Sequence, residues 1–290
     1  MKKALALVIL AILPLIPLEA VEYAPYEIPR TQVVPIKDSK SQKQYELLIK
    51  LPESYNEDQD KTYPVVYFTD AVWHIELLSS ASFFMMEDVI LVGVSWQKDI
   101  SDKLKQKYGP QFSRYQDYSF KKKTNPKHPQ IKFGQAETHL TFIRNDVIHF
   151  VEENYRTDPR NRTYFGFSAG GVFGTYALMT QPDTFKNYIL GSPSIWRDGP
   201  ELLSQANPAL NNERSEINVF ISYGEQEEEL IPHVDEFFAA LKSKNYKGLA
   251  SLQHIMVETA GHSDSSPIMA MKSLKWLKGL QAETNNHDAP

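Results

Sequence analysis

The chain has 290 residues and a mass of 33.2 kDa, with 42% apolar residues, 23% charged residues and a formal net charge of −5. This composition supplies enough apolar surface for one large domain and excludes disorder over most of the chain. The mild negative charge argues against nucleic acid as a partner, because phosphate binding needs concentrated positive charge. The absence of cysteine excludes disulfides, cysteine-ligated zinc and a cysteine nucleophile.

The first twenty residues have the layout of a secretory signal peptide. Lys2 and Lys3 precede an apolar run at 4–18, and the small residue Ala20 follows it. The run is shorter than the roughly 20 residues that a membrane span requires. The prediction is cleavage after Ala20, export to the periplasm and a processed chain without a stable membrane span. The alternative is an uncleaved N-terminal anchor.

Strand-like and helix-like segments alternate along the rest of the chain. The hydropathy pattern predicts strands at 44–51, 65–68, 89–94, 163–167, 189–190, 217–222 and 255–257, and helices at 136–155, 172–179 and 267–280, the last with Pro267 in its first turn. The alternation predicts an α/β fold with a mostly parallel central sheet flanked by helices. We expect one domain over 21–282, with an irregular segment at 101–133, and a flexible tail at 283–290.

The strongest local signal is Gly166-Phe167-Ser168-Ala169-Gly170-Gly171, which lies between a predicted strand and a predicted helix. This is the context that a G-x-S-x-G nucleophile turn requires, because it presents the serine hydroxyl at the edge of the sheet. Ser168 is therefore the candidate nucleophile. The N–H of Ala169 then lies at a helix N-terminus, where it can stabilise developing negative charge. The alternative is a glycine-rich turn without chemistry.

A serine nucleophile needs a base, which in this order of elements follows it along the chain. Among eight histidines, His262 is the best candidate, because it follows a strand-like run and precedes the last helix. His233 and His254 fit surface or structural positions better. The acid is expected after the strand at 217–222, where four glutamates compete. We select Glu227, with Glu228 as the alternative.

These segments together resemble the putative-esterase family of α/β-hydrolases, which includes siderophore, feruloyl and esterase D-like enzymes. The resemblance is carried by Leu51-Pro52-Glu53-Ser54-Tyr55, by Ser192-Pro193-Ser194-Ile195-Trp196, by Gly224-Glu225-Gln226-Glu227 and by Arg114-Tyr115-Gln116-Asp117-Tyr118. It implies hydrolysis of carboxylic esters through an acyl-enzyme, with a Ser-His-Glu triad. It also implies that the second oxyanion N–H belongs to Val72. The family usually has Asp-Gly where this chain has Asp70-Ala71, and alanine tolerates fewer backbone conformations than glycine.

The substrate signals are weaker. Basic residues cluster in the irregular segment (Lys121, Lys122, Lys123, Lys127, His128 and Lys132) and are either a solvated loop or an attraction for an anionic substrate such as a siderophore-type ester. Candidate substrate-binding residues are Trp73, Arg114, Tyr118 and Trp196. No metal-site or phosphate-loop motif is present, so no cofactor is predicted. The alternatives are an inactive binding protein with this fold and an acyltransferase that uses the same acyl-enzyme.

Overall fold

The computed structural model describes residues 23–125 and 128–287, so the predicted signal peptide lies outside the described residues. The strands are β1 (Thr31–Lys37), β2 (Gln44–Lys50), β3 (Tyr63–Phe68), β4 (Ile90–Val94), β5 (Thr124–Asn125), β6 (His128–Lys132), β7 (Thr157–Phe167), β8 (Asn187–Gly191), β9 (Ile217–Gly224) and β10 (Leu249–Val257). Eight of them form one sheet in the order β1-β2-β4-β3-β7-β8-β9-β10. The pairs β1/β2 and β2/β4 are antiparallel and the other neighbours are parallel, which confirms the predicted sheet.

The helices pack on both faces of this sheet. They are α1 (Ala71–Met85), α2 (Asp102–Tyr108), α3 (Phe112–Asp117), α4 (Ala136–Phe142), α5 (His149–Asn154), α6 (Ala169–Thr180), α7 (Gly199–Ser204), α8 (Ile231–Lys244) and α9 (His262–His287), and a π-helical segment at Ile143–Ile148 joins α4 to α5. None of the helices in the described ranges is long and apolar enough to cross a bilayer.

Two apolar clusters lie on opposite faces of the sheet. One contains side chains of α4, α6 and α8, such as Leu140, Phe173 and Val234, and the other contains side chains of α1 and α9, such as Leu78 and Leu274. All residues of β4, β8 and β9 are buried. These strands are continuously apolar because helices cover both of their faces.

Several elements differ from the sequence predictions. Neither β1 nor α1 was predicted, and the segment 101–133 is not irregular throughout, since it contains α2, α3, β5 and β6. The last helix begins at His262 rather than at Pro267, so the proline lies inside it, and this helix continues to His287. Pro267 has no backbone N–H, so it removes one intrahelical hydrogen bond just after the first turn without ending the helix.

The parallel strands bring five loops to one edge of the sheet. Each of β3, β7, β8, β9 and β10 is followed, within a few residues of its carboxyl end, by a polar residue: Asp70, Ser168, Ser192, Glu227 and His262, respectively. Ligands of open α/β sheets bind at this edge. The candidate active site therefore lies at the carboxyl ends of the parallel strands.

Candidate active site

Ser168 occupies a strained turn between β7 and α6. Its φ of 58° and ψ of −116° lie outside the regions that side chains usually adopt. The turn is held by a hydrogen bond from the Ser168 N–H to the Gly191 carbonyl, at 2.9 Å. The flanking glycines are required for close packing, because a Cβ at Gly166 would lie 2.6 Å from Tyr164 Oη and one at Gly170 would lie 2.5 Å from Thr69 Oγ1.

His262 and Glu227 meet across two loops. Nδ1 of His262 lies 2.5 Å from Oε1 of Glu227. The other carboxylate oxygen of Glu227 accepts hydrogen bonds from Ser192 Oγ and from the Gly224 N–H, both at 2.7 Å. The Glu227 side chain is 5% exposed, whereas that of His262 is 45% exposed. The acid is therefore enclosed and fixed, while the imidazole reaches the solvent edge of the site.

The carboxylate of Glu227 is stabilised in its ionised form. Burial raises the pKa of Glu227, but the hydrogen bonds from His262, Ser192 and the Gly224 N–H together lower it more, so the net pKa lies below the ordinary value. An ionised acceptor at Nδ1 selects the tautomer in which Nε2 is free to take a proton.

The other glutamates of this run do not reach the imidazole. Glu225 accepts a hydrogen bond from the Thr259 N–H at 2.7 Å, and Glu228 is exposed. Between Glu227 and Glu228, the geometry therefore favours Glu227 as the partner of His262.

The hydroxyl of Ser168 faces Ser194 in the described conformation. The two Oγ atoms are 3.3 Å apart, and the Ser194 N–H donates to the Ser168 carbonyl at 3.3 Å. Within the described part of the chain, Ser168 Oγ makes no hydrogen bond to His262. Hydrogen bonds between nucleophile and base are often loose before substrate binds. A rotation about the Ser168 χ1 angle would redirect the hydroxyl.

Two backbone N–H groups at helix N-termini face this edge of the sheet. Ala169 is the first residue of α6 and Val72 is the second residue of α1. Such N–H groups have no acceptor within their own helix. The left-handed φ in this turn belongs to Asp70, at 55°, and Ala71 is helical and buried. The alanine that replaces the usual glycine therefore occupies a conformation that suits it.

A buried hydrogen-bond chain joins the two helix N-termini. Tyr164 Oη donates to the Gly170 carbonyl at 2.7 Å and lies 3.1 Å from Thr69 Oγ1. Thr69 directly precedes Asp70, and Gly170 directly follows Ala169. These hydrogen bonds thus fix the distance between the turn after β3 and the turn after β7.

A pocket of about 610 Å³ opens beside Ser168. Of the four predicted substrate-binding residues, Arg114 and Tyr118 line this pocket, but Trp73 and Trp196 do not. Trp73 is half-exposed and its ring lies 5.0 Å from the Arg114 guanidinium. The pocket is lined by Arg114, Tyr115, Tyr118, Ser119, Phe120, Lys121, Lys123, Phe133, Ala169, Val172, Ser194 and Asp198.

The basic stretch contributes less charge to this pocket than the sequence suggests. Lys121 forms ion pairs with Asp198 and, at 2.9 Å, with Glu201. Lys123 also lines the pocket, whereas Lys127 lies outside the described residues. The carboxylates of Asp198 and Glu201 neutralise the positive charge of Lys121, which was one of the charges expected to attract an anionic substrate.

Sequence reasoning missed Ser192 and Ser194 as members of the site. Both belong to the segment Ser192-Pro193-Ser194-Ile195-Trp196, whose sequence indicated only a resemblance to a family. A usable signal was present, since polar residues that directly follow a buried parallel strand lie at the ligand-binding edge.

A family model described as "Putative esterase" matches residues 39–247. Ferri-bacillibactin esterase BesA of Bacillus subtilis (strain 168) is 25% identical over 274 residues, which cover 87% of this chain and 90% of that protein. The structure is similar to that of the BES protein from Bacillus cereus, with a TM-score of 0.76, 24% identity, and coverage of 89% of this chain and 98% of that chain. It also resembles the siderophore hydrolase EstA from Aspergillus nidulans, with a TM-score of 0.68, 19% identity, and coverage of 89% and 99%.

Proposed function

Because this chain belongs to the esterase family of α/β-hydrolases and is a carboxylic ester hydrolase, we propose that Ser168, His262 and Glu227 form its catalytic triad. The observation that carries this proposal is the 2.5 Å contact between His262 Nδ1 and the enclosed Glu227 carboxylate, at the same edge of the sheet as the strained Ser168. An ionised acid, an oriented imidazole and a serine on a tight turn are the three parts of serine hydrolase chemistry.

The reaction proceeds in two steps. Ser168 Oγ forms a bond to the carbonyl carbon while His262 Nε2 takes its proton, and the negative charge develops on the carbonyl oxygen. The N–H groups of Ala169 and Val72 stabilise that oxyanion. His262 then returns the proton to the alcohol oxygen as the C–O bond breaks. Water attacks the acyl-enzyme in the same way, and Glu227 stays ionised throughout.

We propose that the acyl group is aromatic or siderophore-type. Support comes from the rings of Tyr115, Phe120 and Phe133 in the pocket lining, and from relatives whose names describe a ferri-bacillibactin esterase and a siderophore hydrolase. Tyr118 would contact this group, and Arg114 lies in the same wall of the pocket. We further propose that the half-exposed Trp73 and Trp196 contact parts of the substrate that extend beyond the pocket.

The triad is tested by hydrolysis of short p-nitrophenyl esters with residues 21–290 as the enzyme. Ser168→Ala is expected to lower kcat by about 10⁴-fold or more and to abolish labelling by a fluorophosphonate, whose site is read by mass spectrometry. Ser243→Ala, an exposed position on α8, is the matched control and should behave as wild type.

A wild-type enzyme that neither turns over nor labels would overturn the triad and favour a binding protein. The replacement of glycine by Ala71 gives that alternative no support, because Ala71 is helical. Formation of a new ester in the presence of an added alcohol would instead identify acyl transfer.

The substrate proposal needs its own comparison. Feruloyl and catechoyl esters are expected to have a higher kcat/KM than the corresponding acetyl esters. Tyr115→Ala should lower kcat/KM about fivefold for the aryl esters only, since a lost aromatic contact costs about 1 kcal/mol. An equal loss for both ester classes would contradict an aromatic acyl pocket.

We also propose that the protein is exported to the periplasm, on the support of the signal-peptide pattern at 1–20 alone. N-terminal sequencing of the protein from the periplasmic fraction should begin at Val21. Recovery of the intact N-terminus in the membrane fraction would favour the uncleaved anchor.

A further inference from the structure

The turn that precedes α1 is held by a buried ion pair. Arg114 donates from Nε to Asp70 Oδ1 and from Nη2 to Asp70 Oδ2, both at 2.9 Å. The side chains are 8% and 0% exposed, respectively. Two parallel bonds of this kind fix orientation as well as distance, which a lysine in place of the arginine cannot reproduce.

Every polar group of Asp70 is engaged. Trp96 Nε1 donates to Asp70 Oδ1 at 2.6 Å, and the Asp70 N–H donates to Tyr118 Oη at 3.3 Å. The Asp70 carbonyl accepts from the N–H groups of Trp73 and His74, at 2.9 and 3.2 Å. Both Arg114 and Tyr118 come from one short stretch of chain around α3, so the wall of the pocket holds the side chain and the backbone of Asp70 together.

The contacts of Asp70 with Arg114, Trp96 and Tyr118 fix the backbone conformation of the turn. Asp70 has a φ of 55°, a left-handed conformation that is unfavourable for residues other than glycine and persists only where neighbouring contacts enforce it. Relaxation of that φ would rotate the next peptides and displace the N–H of Val72. An oxyanion donor must lie within about 2.7–3.1 Å of the developing charge.

We propose that Asp70 and Arg114 are positioning residues that aim the Val72 N–H into the oxyanion hole. This inference rests on the proposed role of Val72. The pair does not touch the reacting atoms. Two of the guanidinium nitrogens are committed to Asp70, so the main role of Arg114 is to hold the turn rather than to bind substrate.

The test compares two bidentate ion pairs of the same chain. Arg162 donates from Nε and Nη2 to Glu152 at 2.6 and 2.9 Å, away from the pocket, between β7 and α5. Arg114→Lys is expected to lower kcat about 10- to 100-fold with KM changed less than about threefold, because a small displacement of a donor costs rate rather than binding. Arg162→Lys, the matched control, should leave both constants near wild type.

A second readout separates positioning from general destabilisation. A trifluoromethyl ketone forms a tetrahedral oxyanion on the nucleophile, so its Ki should rise in Arg114→Lys by the same factor as kcat/KM falls. Inhibition by the carboxylic acid product should not change. Thermal denaturation of both lysine variants reports the loss of stability, which a purely structural ion pair would show without the parallel change in Ki.

Wild-type kcat in a folded Arg114→Lys enzyme, or a loss of kcat with unchanged Ki, would overturn the inference. Either result leaves the proposed triad intact if wild type still labels at Ser168. If Arg114→Lys does not fold, the inference is tested with Trp96→Phe instead. This substitution removes one hydrogen-bond donor to Asp70 and keeps the ion pair with Arg114. It should lower kcat and raise the ketone Ki together by about threefold, and no change in either would overturn the inference.

Discussion

Replacement of Glu227 by glutamine tests the acid with almost no change of shape. Three donors converge on the Glu227 carboxylate: His262 Nδ1 at 2.5 Å, and Ser192 Oγ and the Gly224 N–H at 2.7 Å. A glutamine amide has one accepting oxygen and one NH₂ group, so at least one donor loses its acceptor. An unpaired buried donor costs about 1–3 kcal/mol, which sets the expected loss in the free energy of unfolding.

The effect on catalysis is larger. Without an ionised acceptor at Nδ1, the imidazole is no longer held in the tautomer that accepts the serine proton at Nε2. We expect kcat for p-nitrophenyl esters to fall about 10³- to 10⁴-fold in Glu227→Gln, equivalent to about 4–5.5 kcal/mol of activation free energy. KM should change little, because the carboxylate is enclosed and lies outside the pocket lining.

Glu228→Gln is the matched control, since Glu228 is the neighbouring exposed carboxylate. It should retain wild-type kcat and wild-type stability. A wild-type kcat in Glu227→Gln would refute the triad and leave a Ser-His dyad, and a large loss in Glu228→Gln would show that the acid was assigned to the wrong residue.

Three further predictions concern packing, pH and a surface ion pair. Gly166→Ala should lower the free energy of unfolding by about 1–3 kcal/mol in urea titrations, because the new methyl group overlaps the Gly170 carbonyl. The lowered pKa of Glu227 stabilises the folded state fully above the ordinary carboxyl value of 4.5, and this contribution is lost as pH falls through the lower folded-state pKa. The Tm difference between wild type and Glu227→Gln should therefore be constant near neutral pH and shrink below about pH 4.5. Lys121→Ala removes the ion pairs with Asp198 and Glu201, and in thermal melts it should lower the free energy of unfolding by less than about 1 kcal/mol, because water screens both pairs.

The sequence predicted those features of the fold and the site that depend on residues close together along the chain. The nucleophile turn needs glycines beside Ser168 and a strand before it, and these requirements are written in consecutive residues. The parallel sheet was predictable because its central strands are apolar throughout, which indicates cover on both faces. Helix α1 was missed although its buried residues follow a helical period. The exposed apolar residues Val72, Trp73, Phe83 and Phe84 on its other face obscure that pattern.

Tertiary structure alone decided which distant groups meet. Four glutamates follow β9, and the sequence analysis selected Glu227 among them, but its contact with His262, 35 residues further along the chain, is visible only in the fold. The ion pair between Asp70 and Arg114 spans 44 residues, and nothing in the local pattern around Arg114 distinguishes a substrate contact from a structural tether. Hydropathy period and turn chemistry act over a few residues, whereas these contacts depend on how strands are ordered in the sheet and on which loops share its carboxyl edge.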